Sequence, residues 1–424
     1  MESAKNSCTA GKKGCITMKD FFTEYMSYVR LDASEAPANY HRWACASILG
    51  AMLGRQVCLP FGSQFIFPNQ YIMLMGPPAC KKGTVIGISK SLLKGAGYQR
   101  FAADRTSKER FLIDMKTMDT MEDDLECLTF DAPAETYVTA GEFVDFIGQG
   151  DIGFMMTLTN LWDNLKTYEH KKITGKSVIV NEPTVNILGG STATTFQIAF
   201  PPEALGTGAL SRILLINGEP SGIKVAWPEQ LDELQKHILI KRMQDMKDMI
   251  RGEMSLCSKA KAIGEKIYHE AVPVEDSRFS HYMQRRHIHM IKLAIVLAAS
   301  DLSSTIEPVH ILRSNTMLAM AEKKMPKALG EFGESKYSNV SNKILEYLAT
   351  RHKPINANEL WKVVQKDLNA PSQLNDVLLN LKTAEKIQTV TVLGKSGYLP
   401  MNKIAMEWKE CYLDMDWLTQ QERL

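Results

Sequence analysis

The sequence predicts an α/β fold: a layered core of short strands and helices, preceded by a helical segment, followed by a helical region and closed by a smaller C-terminal module. Three observations predict it. Between residues 61 and 222 short apolar strands alternate with helices, the pattern of a layered α/β domain. Inside that stretch a β-rich run stops at a glycine-proline loop and a helix starts directly after it. From about residue 227 the strand signal fades and long amphipathic helical patterns replace it. At 424 residues the chain is also too long for a single compact core.

Residues 16–56 read as two amphipathic helices, MKDFFTEYMSYVRL and NYHRWACASILGAMLG, split by the breaker-rich DASEAPA. An aromatic and β-branched run follows, QVCLPFGSQFIFPNQYIMLM, which reads as strands and ends at Gly76-Pro77-Pro78. Further strands are expected at Tyr71–Met75, Thr136–Ala140, Thr184–Gly189 and Arg212–Asn217. The patterns PEQLDELQKHILIKRMQDMKDMIRGEM and RRHIHMIKLAIVLAASD make 227–330 almost wholly helical. A linker-like GEFGESKYS leads to three helical stretches and a β-ribbon over 339–400, with Gly394 and Gly397 at the ribbon tip. That order is the signature of a winged helix. The expected divisions are therefore 1–60 (N-terminal helical segment), 61–222 (core), 223–335 (helical region) and 336–424 (winged helix).

Composition narrows the class. Apolar residues make up 45% and charged residues 23%, the averages of soluble globular proteins. A formal charge of +2 means that any nucleic-acid contact must come from local basic patches. No run of eighteen or more apolar residues occurs, so no membrane span is expected. The N-terminal MESAKNSCTAGKKGC has no apolar h-region, which argues against a secretory signal. The eight cysteines form no CxxC pair, so they read as reduced thiols of a cytoplasmic chain rather than as a zinc site or disulfide framework.

GPPACKKGT, residues 76–84, is the most informative segment. A loop of this kind, entering a helix N-terminus, offers converging backbone N–H groups to an anion, and a lysine then reaches the β- and γ-phosphates. Against GxxxxGK[ST], Gly76 is the first glycine, Pro77, Pro78, Ala79 and Cys80 are the variable positions, and Lys82 is the lysine. Two positions depart: Lys81 stands where the second glycine belongs and Gly83 where a magnesium-binding hydroxyl belongs. Thr84, one place later, is the candidate for that hydroxyl. The expected ligands are ATP and Mg2+.

Downstream residues extend the pattern. TYVTAGEF is a β-rich run that ends on Glu142, the candidate for polarising an attacking water; Gly141 occupies the usual place of a partner aspartate, and Asp131 is a rival acidic strand end. PTVNILGGSTATT ends on Ser191 and Thr192, where a small hydroxyl either senses the γ-phosphate or caps the next helix. GTGALSRILLING places Arg212 at the mouth of a strand, as an arginine finger for a neighbour's site or as an ion-pair partner.

This order, lysine loop, acidic strand end, polar strand end and then Ser-Arg, resembles the AAA+ branch of P-loop ATPases, which includes superfamily 3 and minichromosome-maintenance helicases. Over residues 38–320 the chain more closely resembles helicase-like ATPases of phages and mobile elements, often associated with primases. The shared features are NYHRWACASILGAMLGRQV, FIFPNQYIMLMGPP with its Pro68-Asn69 pair, the Lys82-Gly83-Thr84 loop, the Leu161-Trp162-Asp163 triplet, Asn181-x-Pro183, and Gly208-x-x-Ser211-Arg212. The resemblance implies a ring, usually a hexamer, with each site shared between Lys82 of one copy and Arg212 of the next. It makes 223–335 a lid and places a second phosphate-sensing arginine at Arg285 or Arg286.

Nucleic acid has two candidate contacts. YEHKKITGKSVIVNEP reads as a hairpin with His170, Lys171, Lys172 and Lys176 near its tip. In ring helicases of this branch such a hairpin projects into the pore, where lysines meet phosphates of single-stranded DNA and His170 and Tyr168 stack on bases. The alternative is a solvated hairpin. The winged helix, with SQLNDVLLNLKTAEKI as reading helix and Lys395 at the wing, fits DNA or a protein partner equally well. His281, His287 and His289 lie at offsets that make no metal face. Three functions follow: a DNA helicase or translocase replicating a phage or mobile element in a bacterial cytoplasm, with a primase or polymerase in trans; a loader ATPase acting on a replication protein; or a non-catalytic DNA-binding initiator.

Overall fold

The computed structural model describes residues 20–29, 35–117, 133–163, 166–171, 178–201, 208–330, 338–351, 353–383, 386–392, 395–401 and 406–422. Asp131, Lys172, Lys176, Gly394 and the first fifteen residues lie outside these, as does the side chain of Lys395.

Helix α1 (Phe21–Val29) leads to α2 (Ala38–Leu53), which is buried over almost its whole circumference, from Tyr40 to Leu53. The expected amphipathic helix is thus a central one, because alanine and glycine on every side let neighbours approach it all round. Strands β1 (Val57–Phe61) and β2 (Gln64–Ile66) form an antiparallel hairpin. Then β3 (Tyr71–Met75) enters the middle of the main sheet with every residue buried.

Helix α3 (Lys82–Gly95) follows the loop, then α4 (Lys108–Thr117), β4 (Glu135–Ala140), α5 (Phe143–Ile147) and α6 (Ile152–Trp162). The Asp151 carboxylate caps α6, accepting from the Phe154 N–H at 2.8 Å. The hairpin β5 (Thr167–His170) and β6 (Val178–Asn181) runs directly into β7 (Thr184–Ser191), α7 (Ala193–Ala199) and β8 (Ile213–Asn217). The main sheet has the order β4-β7-β3-β8, all parallel. Its strands are continuous apolar runs because helices cover both faces: α2 and α3 pack on one set of strands, α5, α6 and α7 against β7. All four carboxyl ends lie at one edge, the place where ligands of open parallel sheets bind.

The region expected as a lid comprises α8 (Glu233–Met249), the short β9 (Gly252–Glu253) and β10 (Ser255–Leu256), α9 (Ser258–His269), α10 (Ser280–Ser300), β11 (Thr305–Ile306), α11 (Pro308–Glu322) and α12 (Met325–Leu329). It is not a body apart. Strand β9 pairs in parallel with β1, and one continuous apolar core runs from Phe21 to Leu329. The divisions expected at residues 60 and 222 therefore separate no cores. Among the described residues no helix is long and apolar enough to cross a membrane.

A second core does form after residue 338. Helices α13 (Ser338–Ala349), α14 (Ala357–Val364) and α15 (Pro371–Thr383) pack with the ribbon β12 (Ile387–Val392) and β13 (Lys395–Pro400) around Ile344, Leu348, Leu360, Leu378 and Ile387. An isolated bridge between Ile355 and Tyr398 ties the helix connection to the ribbon. The end of the chain leaves this module. Helix α16 (Met415–Glu422) returns to the main body, where Trp417 packs edge-on to Phe22 and donates to Asp20 at 3.2 Å, and Gln421 accepts from Arg42 at 2.8 Å. The expected C-terminal unit thus stops short of residue 424.

Trp417→Ala should lower the stability of the main body by about 3–5 kcal/mol, the usual range for truncating a buried tryptophan. Hydrogen exchange is expected to quicken in α1 and α11 and to stay unchanged in α13–α15; uniform quickening would contradict two separate cores.

Candidate functional site

The loop after β3 is fixed before any ligand arrives. The Met75 carbonyl accepts from the Tyr40 hydroxyl at 2.5 Å and from the Gly218 N–H at 2.8 Å, and the Gly76 N–H donates to the Ser191 carbonyl at 3.3 Å. Gly76 is required here, since a Cβ would stand 2.4 Å from the Tyr40 hydroxyl and 2.6 Å from the Gly218 carbonyl. Ala79 and Lys81 then take left-handed backbone, with φ of 66° and 57°. Left-handed residues alternating with right-handed ones are the backbone pattern from which anion-binding nests are built. Lys81 pays for its conformation with of order 1 kcal/mol of strain, which explains why a glycine suits that place in the pattern. Its ammonium is held 2.5 Å from Glu35, whose carboxyl that contact keeps below the usual range.

A cavity of about 690 Å³ opens over the loop, lined by Pro78 to Thr84 together with Gly141, Glu142, Thr192 and Thr195. Lys82, the first residue of α3, is 6% exposed and donates to the carbonyls of Gly76 at 2.9 Å and Pro77 at 3.0 Å. Burial lowers its pKa, and the nearby Glu142 opposes that shift. Both Lys82 and Thr84 sit in the first turn of α3, where the helix N-terminus adds positive potential. Lys82, Thr84, Glu142 and Thr192, which come from three separate places in the sequence, thus share one cavity.

Thr192 is a helix cap, the second of its two expected descriptions, and it also faces the cavity. It caps α7 in a reciprocal box: its hydroxyl accepts from the Thr195 N–H at 3.1 Å, and the Thr195 hydroxyl accepts from the Thr192 N–H at 2.9 Å. Thr195 was not singled out in the sequence, although the STATT spacing held the signal. Its hydroxyl also reaches Ser191 at 2.9 Å and the Glu142 carboxylate at 3.3 Å, linking the ends of β7 and β4. Close approach of those ends depends on Gly190, where a Cβ would lie 2.4 Å from the Gly141 carbonyl. Gly141 itself has open space beside it. Among the described residues no group of three His, Cys, Asp or Glu side chains could hold a metal ion.

Arg212 lies elsewhere. It precedes β8, whose Ile213 pairs with Tyr71 at the amino end of β3, so about 17 Å of strand separates it from the loop at ~3.3 Å per residue. Its guanidinium grips Asp163 as a fork, Nε to Oδ1 at 3.2 Å and Nη2 to Oδ2 at 2.5 Å, and donates to the Gly208 carbonyl at 3.0 Å. The Leu161-Trp162-Asp163 and Ser211-Arg212 segments therefore meet. Below them His289 is fully buried, its Nε2–H donating to the Ser211 carbonyl at 2.9 Å, while Nδ1 has no partner. Burial pushes its pKa down to about 3.

Two expectations do not fit this conformation. Arg286 is not at the loop: it is 3% exposed and bound to Glu322 at 2.6 Å and Asn315 at 2.9 Å, with Trp408 over its guanidinium. One turn of α10 faces it into the helical region, so it cements α10 to α11 instead of sensing phosphate. His170 and Tyr168 are turned inward, not outward for stacking. The Tyr168 hydroxyl is 3.2 Å from Thr157, and His170 Nε2 is 4.0 Å from Glu109 on α4, because α4 and α6 flank the hairpin. Lys171 remains exposed, 2.6 Å from Glu169. The hairpin itself is formed as expected, at the amino end of β7 and thus on the Arg212 side of the sheet.

No protein-family model matches the chain, and no curated protein sequence matches it.

Lys81→Gly is expected to raise unfolding free energy by about 1 kcal/mol, since glycine adopts the left-handed backbone freely and the exposed pair with Glu35 contributes little. Urea denaturation measures it; a loss of stability would count against a strained nest. His289→Gln tests the buried imidazole. Folded His289 takes up its proton only near pH 3, against 6.5 for an ordinary imidazole, so between those values only the unfolded chain is protonated. Stability that is complete above pH 6.5 is then lost toward pH 3, at up to about 1.4 kcal/mol per pH unit. The glutamine variant should show a shallower acid slope; an unchanged slope would assign the acid sensitivity to other groups.

Proposed function

We propose that the protein is an ATP-driven, ring-forming DNA helicase or translocase of the AAA+ kind, serving replication of a phage or mobile element. The observation that carries this reading is the gathering of Lys82, Glu142, Thr192 and Thr195 around the 76–84 loop at the carboxyl end of a parallel sheet. The order β4-β7-β3-β8, with the polar strand between the loop strand and the acidic strand, supports the P-loop reading.

In this reading the backbone N–H groups from Ala79 to Thr84 cradle the ATP phosphates, and the Lys82 ammonium leaves its two carbonyl partners for the β- and γ-phosphate oxygens. Mg2+ supplies neutralisation of the charge on those oxygens. The Thr84 hydroxyl, together with the phosphates themselves, would hold that metal, since magnesium takes few protein ligands. Glu142 accepts the proton of the attacking water, and the Thr195 hydroxyl, 3.3 Å away, steers its carboxylate. Thr192 orients a γ-phosphate oxygen.

Arg212 gives the reading its oligomeric form. At the opposite end of the sheet it can reach only another copy's phosphates, so the site is completed between subunits, as in a hexamer. Single-stranded DNA would run through the ring past the β5–β6 hairpin, with Lys171, Lys172 and Lys176 meeting its phosphates. The C-terminal module, with its helices and ribbon in winged-helix order, would dock DNA or a replication partner such as a primase or polymerase.

The test is ATP hydrolysis by the full chain with and without single-stranded DNA, and unwinding of a forked duplex. DNA should stimulate hydrolysis, Lys82→Ala should abolish it, and Glu142→Gln should keep nucleotide binding while slowing hydrolysis about 10²–10⁴-fold. Native mass with an ATP analogue should show a closed ring. Hydrolysis without unwinding would favour a loader; no hydrolysis at all would leave a DNA-binding initiator.

A further inference from the structure

The strap between β8 and α8 is tied down, yet it leaves its apolar side chains in solvent. Ser221 donates to the Glu35 carbonyl at 3.0 Å, and the Val225 N–H donates to the Glu35 carboxylate at 2.8 Å, the group that also pairs with Lys81 of the loop. Two residues on, Trp227 is 90% exposed, the most exposed large apolar side chain among the described residues, and Ile223 and Leu234 on either side of it in sequence are exposed too. An indole buries about 150–250 Å² when it finds a seat, and tryptophan is a preferred anchor of protein interfaces.

The seat lies at the other end of the sheet. Tyr40 near the start of α2 meets Met75 at the carboxyl end of β3, whereas Arg55, just past α2, donates to Glu135 at the amino end of β4. The β1–β2 hairpin that follows therefore hangs from the amino edge. Helix α8 covers the same distance: it starts six residues after Trp227 and leads to β9, which pairs with β1. At ~1.5 Å per residue that helix is about 25 Å long.

Between the hairpin, α9 and α10 opens a cavity of about 600 Å³. Its walls are rings, with Phe61 at 6.0 Å and Tyr268 at 5.0 Å from the His287 imidazole. Burial and Arg286 hold His287 below its ordinary pKa, so in neutral solution it is an uncharged ring. Gly264 opens the floor: glycine inside a helix is unfavourable, yet here a Cβ would meet only Met290 Cε, at 3.9 Å. Charge completes the match. Helix α9 carries three lysines against one glutamate, with Lys261 and Glu265 both at the cavity wall. Glu229, Asp232 and Glu233 follow Trp227 with no lysine or arginine among them. Because knob and seat lie at opposite ends of one chain, they meet only between copies. Such a heterologous contact repeats head to tail and closes into a ring when the rotation permits.

We propose that the cavity between the β1–β2 hairpin, α9 and α10 is the seat for Trp227 of a second copy of the chain, with Glu229 of that copy meeting Lys261. The inference rests on the ring reading above and names a contact, away from the nucleotide, that joins neighbours. It also links that contact to the loop, since the strap is anchored on Glu35, the partner of Lys81.

The experiment is native mass of the full chain with a non-hydrolysable ATP analogue over a range of protein concentrations. Trp227→Ala removes an exposed side chain and should raise the concentration for half-assembly by about 10-fold or more, as for an interface hot spot. Gly264→Leu fills the cavity from its floor and should do the same, with a melting temperature no lower than wild type, since leucine favours helix. A mixture of Glu229→Cys and Lys261→Cys chains should form a covalent dimer under mild oxidation, and each variant alone should form none beyond the wild-type background. Wild-type assembly in Trp227→Ala, or absence of the cross-link in the mixture, would overturn the inference while the ring stands. Loss of assembly in Gly264→Leu but not in Trp227→Ala would give the cavity to another occupant and overturn it likewise. A chain that stays monomeric with the analogue and single-stranded DNA would overturn the ring reading and the inference together.

Discussion

The rest of the structure hangs on the carboxyl end of β3. Three hydrogen bonds fix it: the Met75 carbonyl is shared by Tyr40 and Gly218, and the Gly76 N–H is taken by Ser191. These partners come from α2, the end of β8 and the end of β7, so the last point of β3 is held from three sides. A buried backbone group left unpaired there would be costly. Because all are paired, the loop leaves the sheet in one direction, and the strained residues Ala79 and Lys81 are paid for by the surrounding fold rather than by local preference. Preorganisation of this kind is what a phosphate site needs, since donors already aimed cost nothing to rearrange.

Parallel strands then divide the molecule by polarity. Every strand of the main sheet has its carboxyl end toward the loop cavity and its amino end toward Asp163, Arg212 and the β5–β6 hairpin. The loop cavity and Arg212 are thereby kept about a strand length apart. The same edge that carries Arg212 also carries the hairpin.

Burial holds the helical region to the core. Lys292 on α10 donates to the Phe67 carbonyl at 3.0 Å and Asn69 at 2.5 Å under the Trp162 ring, and burial lowers its pKa to about 7. His289, a turn earlier, donates to the Ser211 carbonyl. Polar groups so deep are expensive unless satisfied, and their partners lie on the segment before β3 and the turn before β8. Such contacts specify a single docking of α10 on the sheet, which explains why the helical region has no core of its own.

By itself the sequence determined the four strands of the main sheet, because apolar runs closed by glycine or polar ends are local signals. Tyr71–Met75 was legible to the residue, and Glu135–Ala140, Thr184–Ser191 and Ile213–Asn217 nearly so. It also determined which residues to inspect, since a glycine-opened loop before a helix, an acid at a strand end and a Thr at the next have fixed chemistry wherever they fall. Only the tertiary structure decided which of them meet. Arg285 and Arg286 are adjacent and identical in type, yet α10 turns one toward Asp163 and buries the other on Glu322; helical phase relative to neighbours is not written at either position. Nothing local marked Thr195 as a partner of Glu142, which its hydroxyl reaches only because the ends of β7 and β4 lie side by side. His170 looked free until α4 packed beside it. Asp163 became a partner of Arg212 only through a contact 49 residues long in sequence, set by sheet order and packing, which no local pattern carries.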